Sequence, residues 1–302
     1  MKPSTKRVAV QMLNKVPEVT IFFWIIKICA TTVGETAADF LATNLNLGLT
    51  GTTLIMSGLL AVALFFQFRA RKYVPSFYWL TVVLISVVGT LITDNLVDNF
   101  GVSLQVTTTL FAIALAVTFS VWYSSERTLS IHTIHTSKRE AFYWSAILFT
   151  FALGTAAGDL VAESLNLGYW KSALMFGGMI ALIGLAYRYL KLNAVFAFWA
   201  AYILTRPLGA SIGDFMSQPR SAGGLALGTT GTSAVMLSII LGLVIYLGVT
   251  RVDATPEEVE ATLIAREDEA KAREERADAR RLLDEAAIAT QRASELHGGP
   301  GA

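Results

Sequence analysis

The sequence predicts an all-α, polytopic membrane protein: eight transmembrane helices from four parallel two-helix repeats, plus a C-terminal cytoplasmic helix. Three observations carry this. Apolar runs of roughly twenty residues recur along the chain, a Trp–Gly–Asp spacing occurs four times, and the basic residues gather where one face of such a bundle would lie.

Of 302 residues, 54% are hydrophobic and 16% charged. An ordinary soluble domain is about a quarter charged. The apolar runs lie near 19–43, 51–68, 77–97, 104–123, 141–163, 170–190, 194–216 and 226–249. Each is long enough to cross a ~30 Å hydrocarbon core as a helix. A membrane β-barrel would alternate apolar and polar residues; Leu59-Leu60-Ala61-Val62-Ala63-Leu64-Phe65-Phe66 does not. A cleaved signal peptide is not expected, because the repeat motif runs through the first apolar stretch. The single cysteine, Cys29, leaves no pairing for an intramolecular disulfide. The chain divides into an N-terminus (1–18), a membrane domain (19–250, with repeats about 19–70, 74–125, 139–190 and 194–250) and a tail (251–302).

Sixteen Lys and Arg residues precede position 251, and twelve of them fall in four places. These are the N-terminus (Lys2, Lys6, Arg7, Lys15), the 69–72 loop, the 124–140 loop and the 188–191 turn. With eight spans, all four lie on one face, whereas the opposite loops offer only Lys171 and Arg220. Basic residues are retained on the cytoplasmic side during insertion, so both termini are expected to be cytoplasmic and the protein to sit in the cell's inner membrane.

The tail begins as helices begin: Thr255 as cap, Pro256 in the first turn, then Glu257 and Glu258 near the positive end of the dipole. Glu267/Lys271 and Glu269/Arg273 are spaced for pairing across one turn. From Arg251 onward there are 13 acidic and 8 basic residues and no sustained apolar seam. The expectation is a solvated single helix ended by Gly298-Gly299-Pro300, with homo-oligomerisation through it left open.

Trp24, Trp79, Trp144 and Trp199 are each followed ten residues later by Gly34, Gly89, Gly154 and Gly209. Five residues further on come Asp39, Asp94, Asp159 and Asp214. The chain has only nine aspartates, so chance does not place four of them this way. Trp spacings of 55, 65 and 55, with Leu45-Asn46-Leu47-Gly48 recurring as Leu165-Asn166-Leu167-Gly168, point to a two-helix unit doubled twice. Two spans per unit make the repeats parallel, related by an axis along the membrane normal. The pattern resembles a family of bacterial membrane proteins known as a repeat of unknown function, with four tandem copies, two spans per copy and a characteristic Trp. The resemblance covers about residues 20–250. Its most distinctive stretch is Arg206-Pro207-Leu208-Gly209-Ala210 with Gly213-Asp214 and Gly223-Gly224…Gly228-Thr229, and it implies topology without an activity.

On a helix, the positions 7, 11, 15 and 19 residues after each Trp share one face. They read Thr31, Glu35, Asp39, Thr43 in the first repeat and Ser86, Thr90, Asp94, Asp98 in the second. The third gives Phe151, Thr155, Asp159, Glu163, and the fourth Arg206, Ala210, Asp214, Gln218. Seven of the ten acids before position 251 lie on these stripes. Ionisable groups at membrane depth face a wet cavity or a partner rather than lipid. If the odd spans share an axis, Asp39, Asp94, Asp159 and Asp214 meet at one level, with Glu35, Asp98, Glu163 and Arg206 adjusting the charge. Carboxylates so close share protons, recruit a cation or pair with Arg206, and their oxygens suit hard divalent ions. The competing reading is that each Asp bonds a helix end of its own repeat and serves only the fold.

The four glycines are expected to let helices approach, the tryptophans to anchor at the interface, and Lys27 to snorkel to the membrane edge. Pro207 is expected to bend its helix. His132 and His135 read as solvated loop, and the Gly223–Gly231 segment as a permissive loop. No nucleophile–base set, metal-binding Cys or His motif or basic nucleic-acid face is seen, so neither an enzyme nor a nucleic-acid partner is expected, and no cofactor is implied. The leading expectation is a permease-like transporter of a small cation, proton or divalent metal, through an outward polar vestibule, with the lipid bilayer as its other partner. The alternative is a non-transporting scaffold or sensor that signals through the tail.

Overall fold

The computed structural model describes residues 14–43, 47–254 and 256–297, with the side chains of 163–164 and of several tail positions outside that set. Lys2, Lys6, Arg7, Leu45, Asn46, Thr255 and Gly298-Gly299-Pro300 therefore lie outside the described residues. Among the described residues, eight helices are long and apolar enough to cross a membrane. They are α1 (Ile21–Thr43), α2 (Gly48–Arg69), α3 (Pro75–Asp94), α4 (Leu104–Glu126), α5 (Ser137–Asp159), α6 (Tyr169–Tyr189), α7 (Ala194–Ser217) and α8 (Gly228–Thr250). Their starts follow local chemistry: Pro75 occupies the first turn of α3, Thr136 Oγ1 accepts from Arg139 N, and Asn193 Oδ1 accepts from Val195 N and Phe196 N. In α7 the helix runs unbroken through Pro207.

Odd and even helices have different fates. Between 56% and 67% of the residues in the α1, α3, α5 and α7 spans are buried, against 11–17% in the others. The reason is compositional. The odd helices carry the Thr, Ser, Gly and charged residues that lipid does not solvate, so they must satisfy one another. The even helices turn Leu59, Val62, Leu110, Val117, Leu182 and Leu241 outward.

The four inner helices form a closed ring in the order α1, α3, α5, α7, with α7 back against α1. Each outer helix packs chiefly on the inner helix of the next repeat: α2 on α3, α4 on α5, α6 on α7, and α8 on α1. Two contacts repeat four times around this ring. Each motif Trp meets the aromatic residue that precedes the motif Trp of the repeat before it. The ring-centroid distances are 5.5 Å for Trp79–Phe23, 5.6 Å for Trp144–Tyr78, 6.1 Å for Trp199–Tyr143 and 5.9 Å for Trp24–Phe198. Each motif Gly receives the residue seven past the Trp of the next repeat: Gly34 meets Ser86, Gly89 meets Phe151, Gly154 meets Arg206, and Gly209 meets Thr31. A Cβ at any of the four would fall inside 3.0 Å of that neighbour. Thr32 Oγ1 and Thr93 Oγ1 add hydrogen bonds to Gly209 O (3.1 Å) and Ala152 O (3.0 Å) across the same seams.

The tryptophans correct an expectation. Trp79, Trp144 and Trp199 are buried rather than anchored at a lipid surface, and Trp24 is half-buried. Each indole packs at a tilt on the aromatic ring of the preceding repeat, which holds it among the inner helices. This tryptophan end is closed further by the segment before α1. Lys15 Nζ, fully buried, donates to Glu140 Oε2 (2.7 Å) and Phe68 O (2.9 Å), and Gln67 Nε2 donates to Glu140 Oε1 (3.3 Å). Beside it Tyr73 Oη donates to Asp253 Oδ2 at 2.6 Å, where burial pushes the Asp253 carboxyl above its usual range.

The tail forms α9 (Pro256–His297), which belongs to a compact unit separate from the membrane domain. Among its described side chains the ion pair is Arg281–Glu285 (3.5 Å), one turn apart, rather than the two pairs expected nearer its start.

Replacing Gly209 by Leu drives a side chain into Thr31 Cβ and the backbone of Thr32. We expect a loss of about 3 kcal/mol, the upper part of the range for overpacking, read as a lowered thermal midpoint in detergent. Gly58, with nothing within 4 Å of an added Cβ, is the control: Gly58→Leu should leave the midpoint in place. Equal midpoints for the two variants would refute the close-approach argument.

Candidate functional site: the axial carboxylate funnel

The helix faces that line the ring axis are layered, because successive layers are one helical turn apart on every inner helix. Nearest the tryptophan end, three residues past each Trp, lie Lys27, Val82, Ile147 and Tyr202, all fully buried. The next layer is Thr31, Ser86, Phe151 and Arg206, again fully buried. Above it come Glu35, Thr90, Thr155 and Ala210, all buried. Then follow Asp39, Asp94 and Asp159, partly exposed, with Asp214 just buried. Asp98 is exposed at the top, and Gln218 is partly buried. The axis is thus sealed at one end and becomes polar and accessible toward the other.

Arg206 sits where the change occurs. Its Cβ and Cγ lie over Gly154, which aims the guanidinium across the axis. Nη1 donates to Thr31 O at 2.6 Å; Nη2 donates to Glu35 Oε2 at 2.8 Å, to Thr155 Oγ1 at 2.7 Å and to Thr90 Oγ1. One side chain from α7 therefore reaches α1, α3 and α5. Its partners include the residue eleven past the Trp in each of the other three repeats, so three of the four residues of that layer converge on the one arginine.

Above that plug the carboxylates gather. An oxygen from each of Glu35, Asp159 and Asp214 lies within 4.8 Å of the other two. Asp94 lies within electrostatic reach of Glu35, Asp159, Asp39 and Asp98. Of the expected level, Asp159 of α5 and Asp214 of α7 thus cluster with Glu35 of α1, and Asp94 of α3 and Asp39 of α1 lie within electrostatic reach of each other rather than in that group. The Glu163 side chain lies outside the described residues. In repeats two and three the helix widens into a π-turn immediately after the motif Asp, at Asn95–Asn99 and Leu160–Ser164. Such turns often accompany functional sites, and here they form part of the funnel wall.

Lys27 is a second correction. It is fully buried rather than at the membrane edge, and its Nζ has no hydrogen-bond partner among the described residues. It lies 3.9 Å from the centre of the Phe151 ring and 4.2 Å from that of Tyr202. The helix face decides this: three residues past Trp24, Lys27 points to the axis, and rings from α5 and α7 close over it as cation–π partners.

Asn95 was not singled out by the sequence. Its Nδ2 donates to Thr53 Oγ1 and Leu91 O (both 2.7 Å), while its Oδ1 accepts from Thr50 (3.1 Å) and Asn99 (2.7 Å). It ties α2 to the funnel rim. The available signal was its break with the repeat: the residue after the motif Asp is Phe40, Leu160 and Phe215 elsewhere. Glu140 and its buried partner Lys15 were equally unmarked, being one residue pair without a repeat counterpart.

Carboxylate oxygens alone, without His or Cys, form a donor set for protons or hard cations and not for soft metals. Fold and funnel together define a polytopic membrane protein of four tandem two-helix repeats around a polar axis. The chain belongs to the family described as Repeat of Unknown Function (DUF347), which matches at residues 22–73, 77–128, 142–192 and 197–253. No curated protein and no solved structure matches it.

Breaking a buried ion pair from one side strands the other charge, at about 3–5 kcal/mol. Arg206→Met should lower stability in detergent by that order through the stranded Glu35, and adding Glu35→Gln should recover much of it. Additive losses in the double variant would show that the two side chains do not depend on each other.

Proposed function

We propose that this protein is a permease-like transporter of a small cation, a proton or a hard divalent ion, and that the carboxylate cluster is where the cation binds. The observation that supports this most is the convergence of Glu35, Asp159 and Asp214 within 4.8 Å at the base of the funnel, beside a fixed cation that closes the axis below them. A fold-only role would be met by aspartates bonded within separate repeats. Gathering carboxylates from different repeats costs repulsion and desolvation, which a bound cation or shared protons would offset. In the sealed state Arg206 neutralises Glu35 and blocks the axis, so passage requires that side chain to leave the Thr31–Thr90–Thr155 ring of acceptors.

Mn²⁺ is a suitable probe, since carboxylates accept it readily. In proteoliposomes carrying the full chain, we expect Mn²⁺ or proton flux that is lost in the Asp159→Asn/Asp214→Asn double variant while the thermal midpoint is kept. Absence of flux and of binding for both probes in the unmodified protein would leave the non-transporting scaffold as the better reading.

The proposed orientation places the tryptophan end, with Lys15, Arg69, Arg71, Lys72, Arg127, Lys138, Arg139, Arg188 and Lys191, in the cytoplasm of a bacterial inner membrane, and opens the funnel outward. Cys29 is buried, so an added cysteine can report sidedness. A membrane-impermeant thiol reagent applied to intact cells should label Ser103→Cys and not Ser125→Cys. The reverse pattern would invert the orientation.

A further inference from the structure

The second and third repeats pack their outer helices alike, but the seam of the third is not filled. In the second repeat, Phe119 and Trp122 of α4 cover Trp199, with ring centroids at 4.9 and 5.8 Å. Trp79 and Trp144 are 65 residues apart, so the third repeat's equivalents are Gly184 and Tyr187 of α6, and the indole they should cover is Trp24. Gly184 has no ring to offer, and Tyr187 is 52% exposed. A cavity of about 500 Å³ remains over Trp24, lined by Ile180, Ile183 and Gly184 from α6 and by Ala197, Phe198 and Ala201 from α7. Trp24 is accordingly the one motif tryptophan left half-buried. That volume lies within the ~300–1,000 Å³ of ordinary ligand pockets, which are mostly apolar with a few polar groups.

We propose that this groove holds one acyl chain of a phospholipid from the surrounding bilayer. Three features select that occupant. The walls from α6 and α7 are mostly apolar or small, so they offer chiefly packing. The groove is continuous with the lipid-facing side of α6, where Leu182 and Leu185 are exposed. Its ionisable acid and base, Glu18 and His132, lie with Ser130 at a rim, where His132 Nδ1 is 3.4 Å from Glu18 Oε1. An amphiphile fits with its chain against Trp24 and its headgroup at that rim, taking the place that Phe119 fills in the equivalent seam. The proposal is independent of cation transport.

The test is quenching of Trp24 by lipids with brominated acyl chains. Full-length protein is reconstituted with brominated or ordinary phosphatidylcholine, and the Trp24 emission is taken as the difference between the unmodified protein and Trp24→Phe. We expect bromine to quench Trp24 in the unmodified protein and the quenching to be lost in Gly184→Phe, which restores the missing ring. Ala197→Leu, filling the groove from α7, should give the same loss if Gly184→Phe fails to fold. Trp24 emission that is indifferent to bromine in the unmodified protein, or equally quenched in a folded groove-filling variant, overturns the proposal.

Discussion

Four inner helices can approach closely only because each offers a glycine at the height where its neighbour carries a side chain. Those glycine seams set the rest of the molecule. They bring the backbones near enough for Thr32 and Thr93 to donate across them to carbonyl oxygens, and they leave an axis filled by side chains rather than an open pore. They also aim Arg206. With its stem lying over Gly154, the guanidinium has nowhere to go but across the ring, where acceptors from three other helices meet it. Transmembrane helices gain little from hydrophobic association, since lipid is as apolar as leucine. Close packing and hydrogen bonds must hold them together, and the repeated Gly and Thr positions are where this chain invests in both.

The outer helices solve a different problem. Packing each on the next repeat, rather than mainly on its own partner, links repeat to repeat like staves, and α8 on α1 closes the hoop. A chain built this way has no terminal repeat with an uncovered face. It also explains why the outer helices can afford to be almost wholly apolar. They cover the polar ring and face lipid, and they contribute few of its hydrogen bonds. The exceptions among the described residues include Gln67 of α2, which donates to Glu140, Ser233 of α8, 2.7 Å from Thr36 Oγ1, and Thr50 and Thr53 of α2, which the π-turn at the end of α3 brings beside Asn95.

Most of this architecture was legible in the sequence, and the reason is periodicity. Spans follow from runs of apolar residues, the repeat from Trp–Gly–Asp spacing, and the polar face from positions four apart. The contradicted readings share a physical cause. Trp144 and Lys27 were assigned from residue chemistry, an indole to the interface and an ammonium to water, and both were overruled by the helix face they occupy. Ring order decides what lies opposite, and residues far apart in sequence supply it: Phe151 and Tyr202 over Lys27, Tyr78 against Trp144. Glu140 with Lys15, 125 residues apart, and Asn95 with α2 carried no periodic mark at all.

The repeated aspartates make one end of the axis acidic, and the departures from symmetry make the other end basic. The buried basic side chains of the axis, Lys27 and Arg206, lie on the tryptophan side, while Glu35, Asp39, Asp94, Asp159 and Asp214 lie toward the other end. The axis is therefore basic where it is sealed and acidic where it opens. On the proposed reading, a cation entering the funnel gains attraction until it reaches the Glu35 level and is repelled beyond it. Four identical repeats would place the same charge at each level of all four helices and could not build that polarity with one plug. A single Arg at the seventh position after one Trp, opposite Thr, Ser and Phe in the others, is enough to turn a symmetric barrel of helices into a one-ended trap. On the proposed reading, any route through the molecule must pass through the movement of that one side chain.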